Sequence, residues 1–74
     1  MTHDRITCDP TVMSGQPVIK GTRVPVSVLL WMLAGGETTE TVLANYPNIS
    51  ADDLKAALAF AAETLESPHL VAAE

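Results

Sequence analysis

This 74-residue sequence has few of the residues on which catalytic and metal-binding sites depend. Its single cysteine, Cys8, excludes an internal disulfide, which is typical of a reducing compartment. The two histidines, His3 and His69, stand near opposite ends, and no Cys/His spacing resembles a metal site. Cys8 has only His3 nearby, so we expect a small buried thiol. These absences predict a protein that is not an enzyme and that uses no cofactor, metal ion or small-molecule substrate.

Long apolar runs and targeting signals are also absent. The longest apolar run, 28–34, is far shorter than the ~20 residues that a membrane span needs. The first five residues lead into no apolar segment of the kind found in signal peptides. Gly35-Gly36 lacks the following Lys-Ser/Thr of a phosphate-binding loop. We therefore expect a soluble, cytoplasmic protein without a membrane partner.

Cations are scarce and unevenly placed. Four Lys and Arg residues oppose nine Asp and Glu residues, which gives a formal net charge of −5. Three of the cations lie in the first 23 residues, whereas from Val24 onward only Lys55 opposes seven carboxylates. Because DNA affinity comes mostly from neutralising phosphates, any nucleic-acid contact should use the basic arm, and the acidic body favours a basic protein partner. The candidate nucleic-acid-binding residues are Arg5, Lys20, Arg23 and Lys55.

Apolar residues, by contrast, are abundant for so short a chain. They make up 47% of the sequence, and the mean hydropathy is +0.22. A chain of this size buries only ~60% of the surface that its unfolded form exposes. Such a chain has little interior for that many apolar side chains, so we expect a homodimer or a higher oligomer, or an obligate partner.

Glycine and proline concentrate in the segment 15–26, between a strand-like start and a helical remainder. The glycines permit sharp reversals of the chain, and the prolines keep the residues before them out of the helical region. Pro25 suits the first turn of a helix. The predicted structural corner consists of Gly15, Pro17, Gly21, Thr22, Arg23 and Pro25.

Two short strands are predicted in the arm, Ile6–Cys8 and Val18–Ile19. They can pair with each other within one chain or between subunits. We expect Arg23 to hold the corner by pairing with a carboxylate or with backbone carbonyls. Contact with phosphate or with a partner's carboxylate is the alternative role for Arg23.

Three helices are predicted after the corner. The first runs over 26–34 and ends at Gly35 in the left-handed conformation. The second begins after Thr38 as N-cap and is stopped by Pro47, with an inward stripe of Val42, Leu43 and Tyr46. The third has Ser50 as N-cap, a capping box with Asp53, and a hydrophobic staple between Ile49 and Leu54, and it ends near Glu66. Its predicted apolar stripe is Leu54, Ala57, Leu58, Ala61, Ala62 and Leu65.

Several side chains are candidates for an interface with a partner or a second copy. The first helix is apolar nearly all round, which is typical of a helix that is covered on every side. Trp31 and Met32 are therefore interface candidates, with a fully internal helix as the alternative. Phe60 falls outside the stripe of the third helix, so it either covers the edge of the core or serves as an exposed anchor. The remaining interface candidates are Glu63, Glu66, Leu70 and Val71.

The fold class predicted from these elements is mostly α. A three-helix, homeodomain-like helix-turn-helix core follows a short N-terminal β-hairpin arm. Residues 1–25 form the arm and corner, 26–66 the core, and 67–74 a flexible tail, all within a single domain.

The motifs resemble those of the family called domain of unknown function 433 (DUF433). The resemblance covers about residues 6–62 and is carried by the corner, the following Gly36-x-Thr38-x-Glu40, and the start of the third helix. The matching strings are Gly15-x-Pro17-x-Ile19-x-Gly21-Thr22-Arg23-Val24-Pro25-Val26 and Tyr46-Pro47-x-Ile49-Ser50-x-x-Asp53-Leu54-x-Ala56-Ala57-Leu58. Members resemble VapB-type antitoxins and are often paired with a PIN-like ribonuclease toxin.

This resemblance implies an antitoxin of a type II toxin-antitoxin system that neutralises such a toxin and represses its own operon. The residues favour operator DNA less, because the outward positions early in the third helix include only one good base-reading side chain, Lys55. The alternatives are a stand-alone helix-turn-helix regulator that binds DNA, and a dimeric interaction module that binds neither toxin nor DNA.

Overall fold

The computed structural model describes residues 4–66 and shows three helices preceded by a two-stranded hairpin. This is the predicted fold class. The 3₁₀ turn Met13–Gly15 lies between the two strands. The elements are β1 (Ile6–Thr7), β2 (Val18–Ile19), α1 (Val26–Ala34), α2 (Thr39–Asn45) and α3 (Ala51–Leu65).

The hairpin pairs within the chain, which the sequence left open. β1 and β2 are antiparallel, with Ile6 opposite Ile19 and Thr7 opposite Val18. Pro25 is not in the first helical turn, so that prediction is wrong. It has extended backbone (φ −69°, ψ 142°) and forms a bridge with Val18, because the chain runs back along β2 before α1 begins.

Gly36, not Gly35, takes the left-handed conformation after α1. Gly35 has φ −78° and Gly36 has φ +97°, so the predicted stop is wrong by one residue. The N–H of Gly36 donates to the Leu33 carbonyl (3.0 Å), and the N–H of Glu37 donates to the Met32 carbonyl (3.1 Å). This pair of bonds is a Schellman motif, which satisfies the last carbonyls of the helix.

The caps of α2 and α3 are those that the sequence predicts. The Thr38 hydroxyl accepts from the N–H of Thr41 at 3.1 Å. The Ser50 hydroxyl accepts from the N–H of Asp53 (3.1 Å), whose carboxylate accepts from the N–H of Ser50 (2.9 Å). Both caps satisfy backbone donors that have no partner inside the helix.

The core lies where α1, α2, α3 and the hairpin meet. Its buried apolar residues are Ile19, Val24, Val26, Leu29, Val42, Ile49, Leu54 and Ala57. Leu43 and Tyr46 are partly buried beside Val42, as the inward stripe of α2 predicts. Ile49 and Leu54 are both buried in the core, at the positions of the predicted staple.

The inward face of α3 is narrower than predicted and lies to one side of the predicted stripe. Leu54 and Ala57 are buried and Phe60 packs against the core, whereas Leu58 is 40% exposed and Leu65 is 73% exposed. Ala62 is exposed as well. α1 and β1 cover only one side of this helix, so the wide stripe cannot be buried in full. Phe60 thus covers the edge of the core, which is the first of the two positions predicted for it.

Cys8 is exposed, so the predicted buried thiol is wrong. β1 ends at Thr7, and the chain then leaves the sheet for a turn in which Asp9 accepts hydrogen bonds from the backbone and hydroxyl of Thr11. The thiol therefore lies on a turn rather than in the sheet.

Candidate functional site

An apolar groove runs between the start of α1 and the end of α3. It is lined by Phe60 and Ala61 from α3, by Leu30 from α1 and by Pro17 from the segment before β2. The exposed Leu65 stands on its rim. The full lining is Gln16, Pro17, Val26, Ser27, Leu30, Phe60, Ala61, Thr64 and Leu65.

A second hollow lies beside this groove, around Trp31. The indole is 76% exposed, which is unusual for the largest apolar side chain of a small protein. The hollow is lined by Ser27, Leu30, Trp31 and Ala34, so it shares Ser27 and Leu30 with the groove. The two hollows form one apolar surface, which we call the α1–α3 face and define by Pro17, Ser27, Leu30, Trp31, Ala34, Phe60, Ala61 and Leu65.

The two interface candidates of α1 have different surroundings. Met32 is partly buried and packs against the core, whereas Trp31 points to the surface. Ser27, Leu30 and Ala34 belong to the same surface, although they are not among the interface residues predicted from the sequence. Their spacing with Trp31 is i, i+3, i+4 and i+7, which places all four on one side of a helix. That uncharged pattern is visible in the sequence, but it also suits a buried face.

Arg5 joins the hairpin arm to the beginning of α3. Its guanidinium donates to the Asp53 carboxylate at 2.9 Å and lies 3.9 Å from an oxygen of Asp52. The N–H of Ser50, and then Arg5, hold the pKa of Asp53 below its ordinary value of 3.8. The charge of this arm cation is thus balanced by two carboxylates of its own chain.

The other three candidate cations, Lys20, Arg23 and Lys55, have exposed positions. Lys20 contributes its backbone to the hairpin, where its N–H donates to the Arg5 carbonyl at 2.7 Å. Lys55 lies on α3 beside a shallow hollow that includes Leu43 and Leu58. The structure does not bring Lys55 and the arm cations into one described cleft.

The corner is held by Thr22 rather than by Arg23. The Thr22 hydroxyl donates to the Ile19 carbonyl (2.7 Å) and accepts from the N–H of Val24 (3.0 Å). Gly15 (φ +85°) and Gly21 (φ +80°) take the left-handed conformation that their place in the corner predicts. Within residues 4–66, no hydrogen bond or ion pair involves the Arg23 side chain.

The acidic candidates lie on the last turns of α3. Glu63 is half-buried and Glu66 is exposed at the C-cap. They are three residues apart, so they stand near each other on the helix surface. Leu70 and Val71 lie outside the described residues.

Over residues 4–66, no group of three or more His, Cys, Asp and Glu side chains is arranged to hold a metal ion. Among the helices of that part of the chain, none is long and apolar enough to cross a membrane.

Comparisons with known proteins match this fold and its sequence. The family model described as "Protein of unknown function (DUF433)" matches residues 6–61. The uncharacterized protein y4eO of Sinorhizobium fredii is 34% identical over 56 residues, which are 76% of this chain and 25% of that protein. The crystal structure of a DUF433 member protein from Anabaena variabilis superposes with a TM-score of 0.80 at 36% identity, over 85% of this chain and 62% of that one. This chain therefore spans a quarter of the length of the first relative and under two thirds of the second.

Proposed function

The chain belongs to the DUF433 family, and we propose that it acts as an antitoxin-like, non-enzymatic module that binds and neutralises a PIN-like ribonuclease. The resemblance to VapB-type antitoxins motivates this proposal. The observation that carries it is the separation of charge between the arm and the helical body. The activity belongs to the partner, and this chain blocks access to it.

The helical body has the charge that a nuclease inhibitor needs. From Val24 to Glu66, the sequence has one cation, Lys55, and six carboxylates, which are Glu37, Glu40, Asp52, Asp53, Glu63 and Glu66. Two of these, Asp52 and Asp53, are already paired with Arg5 of the arm. A ribonuclease groove must attract phosphates and is therefore electropositive. A carboxylate-rich surface competes for the same groove and is steered to it by the same field.

The geometry favours a protein partner over DNA. In a helix-turn-helix, residues near the start of the second helix of the motif reach the base edges. At that place α3 presents Asp52, whose side chain is 69% exposed and would repel phosphates. Arg5, the arm cation that packs against this end of α3, is already paired with Asp52 and Asp53.

Co-expression with a PIN-like ribonuclease encoded beside this chain tests the proposal. We expect a stable complex in which the nuclease no longer cleaves RNA. Glu66→Lys should weaken inhibition by about tenfold, because it reverses one exposed charge of the acidic surface. A cation at this helix C-terminus is favourable for the helix dipole, so the variant should stay folded.

Asp4→Lys is the matched control, since it makes the same charge change on the exposed arm. The Asp4→Lys variant should inhibit the nuclease as strongly as the unmodified chain does. If the nuclease stays fully active at saturating amounts of this chain, the proposal is wrong. If the chain instead binds operator DNA and ignores the nuclease, the stand-alone regulator replaces it.

A further inference from the structure

We propose that the α1–α3 face is covered by the same face of a second copy, in an antiparallel α1–α1 pair around a two-fold axis. This inference does not depend on the proposed toxin binding. It rests on the exposure of Trp31, on the pattern of large and small residues around it, and on where the chain carries no charge.

The charge distribution selects a second copy as the occupant. From Val24 to Gly36 the sequence has no charged residue, whereas the chain as a whole has a net charge of −5. Two acidic copies repel each other least where they meet through an uncharged surface. A basic partner, by contrast, gains nothing electrostatically from this stretch. The uncharged face is thus suited to a second copy, and exposed carboxylates such as Glu37, Glu40 and Glu66 lie outside this contact.

The pattern along α1 is self-complementary. Ser27, Leu30, Trp31 and Ala34 line one hollow, with the two large side chains between the two small ones. A two-fold axis between positions 30 and 31 sets Trp31 against Leu30 of the second copy. The same axis sets Ser27 against Ala34. Large residues then fill the centre, and small residues allow the helix backbones to approach at both ends.

The groove extends this contact from α1 to α3. It shares Ser27 and Leu30 with the Trp31 hollow and adds Phe60, Ala61 and Leu65. A standard interface takes roughly 800 Å² from each partner, about a sixth of the 5003 Å² surface of this chain. α1 alone has nine residues, so the contact must include the groove.

Sedimentation equilibrium of the full chain tests the pairing. The mass should rise with concentration from the 7.8 kDa of one chain to twice that value. Trp31→Glu should raise the dissociation constant by about 30-fold or more, because it removes the central aromatic anchor and places a charge in the contact. Met13→Glu is the matched control, since Met13 is a partly exposed apolar side chain on the hairpin and should not affect the mass. Circular dichroism verifies that both variants remain helical.

The effect of ionic strength on affinity distinguishes this dimer from the proposed binding of a toxin. Raising the ionic strength screens the repulsion between two acidic copies, so the dimer should become tighter. Binding of a basic nuclease should become weaker under the same conditions. A monomer at all concentrations, or a dimer that Trp31→Glu leaves unchanged, would overturn the pairing even if the nuclease is still inhibited.

Cross-linking tests the register without relying on Trp31. In a Cys8→Ser background, Ser27→Cys and Ala34→Cys chains are purified separately and treated with a short bis-maleimide. The proposed axis predicts a cross-linked dimer when the two variants are mixed, and little when either is alone. Equal cross-linking of each variant with itself, or none in the mixture, would exclude the antiparallel register.

Discussion

Two side chains, Thr22 and Arg5, hold the arm in place through hydrogen bonds. Thr22 both donates and accepts within the corner, so that its hydroxyl fixes the turn between β2 and α1. Arg5 reaches from the arm to Asp53, which also completes the capping box of α3. Thr22 therefore fixes the corner locally, and Arg5 attaches the arm to α3 across 48 positions of sequence.

The link through Asp53 predicts acid sensitivity. Its pKa is lower in the folded chain than the ordinary value of 3.8, chiefly because the N–H of Ser50 donates to the charged carboxylate. A carboxyl group whose folded pKa is depressed stabilises the fold above its unfolded pKa, and this contribution is lost as the pH falls through the folded pKa. The melting temperature of the unmodified chain should therefore decrease between about pH 5 and pH 3.

Asp53→Asn should reduce this change of the melting temperature with pH. The amide oxygen can still accept from the N–H of Ser50, but the attraction to Arg5 is lost at every pH. Thermal unfolding followed by circular dichroism should show the variant less stable at pH 7, with a gap to the unmodified chain that narrows as the pH falls below the ordinary carboxyl pKa of 3.8. A gap that does not narrow would contradict this role of Asp53.

At the scale of the elements, the end of α1 shows how local chemistry sets a boundary. Gly36 supplies the left-handed residue of the Schellman motif, and Gly35 continues the helical hydrogen bonding by donating to Trp31 (2.9 Å). A Cβ at Gly36 would meet no atom within 4 Å. Any cost of replacing Gly36 therefore comes from the backbone conformation alone.

Gly36→Ala should lower the free energy of unfolding by about 1–2 kcal/mol, the cost of a left-handed conformation for a residue with a Cβ. Gly35→Ala is the control, because Gly35 has a negative φ and an added Cβ would make a contact of 3.4 Å with the Trp31 carbonyl. It should change stability by less than about 0.5 kcal/mol. Chemical denaturation of both variants measures the difference in the free energy of unfolding. A larger loss of stability for Gly35→Ala than for Gly36→Ala would contradict the role of Gly36 as the residue that ends α1.

The sequence predicts these elements well where the signal is local. The bounds of α1, the caps at Thr38 and Ser50 and the strand at Val18–Ile19 all follow from capping chemistry and turn residues that lie within a few positions. The sequence predicts the exposure and the partners of a side chain less well where these depend on an element that is distant along the chain. The exposure of Leu65 and Cys8 depends on what α1 and the hairpin cover, and the partner of Arg5 lies 48 positions away.

The same limit applies to the candidate site. Trp31 is predicted as an interface residue from its residue type alone. The groove beside it forms only because α1 and α3 meet, and the apolar periodicity of either helix does not predict that contact. Trp31 and Met32 are both interface candidates in the sequence, because a helix that is apolar all round does not indicate which of its faces is buried.

At the scale of the whole molecule, the apolar α1–α3 face and the charged residues are separate. The α1–α3 face contains no charged side chain, whereas the six carboxylates of the body lie outside it along the sequence. Under the two proposals above, this separation leaves one surface for a second copy and other surfaces for a basic partner. The two contacts respond oppositely to salt, since one is apolar between like charges and the other is attractive between unlike charges.

The central claim is that this chain inhibits a ribonuclease by occupying its RNA groove with an acidic surface. The most direct measurement is RNA cleavage by a PIN-like ribonuclease that co-purifies with this chain, with this chain and RNA titrated against each other at low and at high salt. The account predicts inhibition that RNA competes away and that weakens as the salt concentration rises. Inhibition that neither RNA nor salt affects would contradict it, as would full nuclease activity at saturating amounts of this chain.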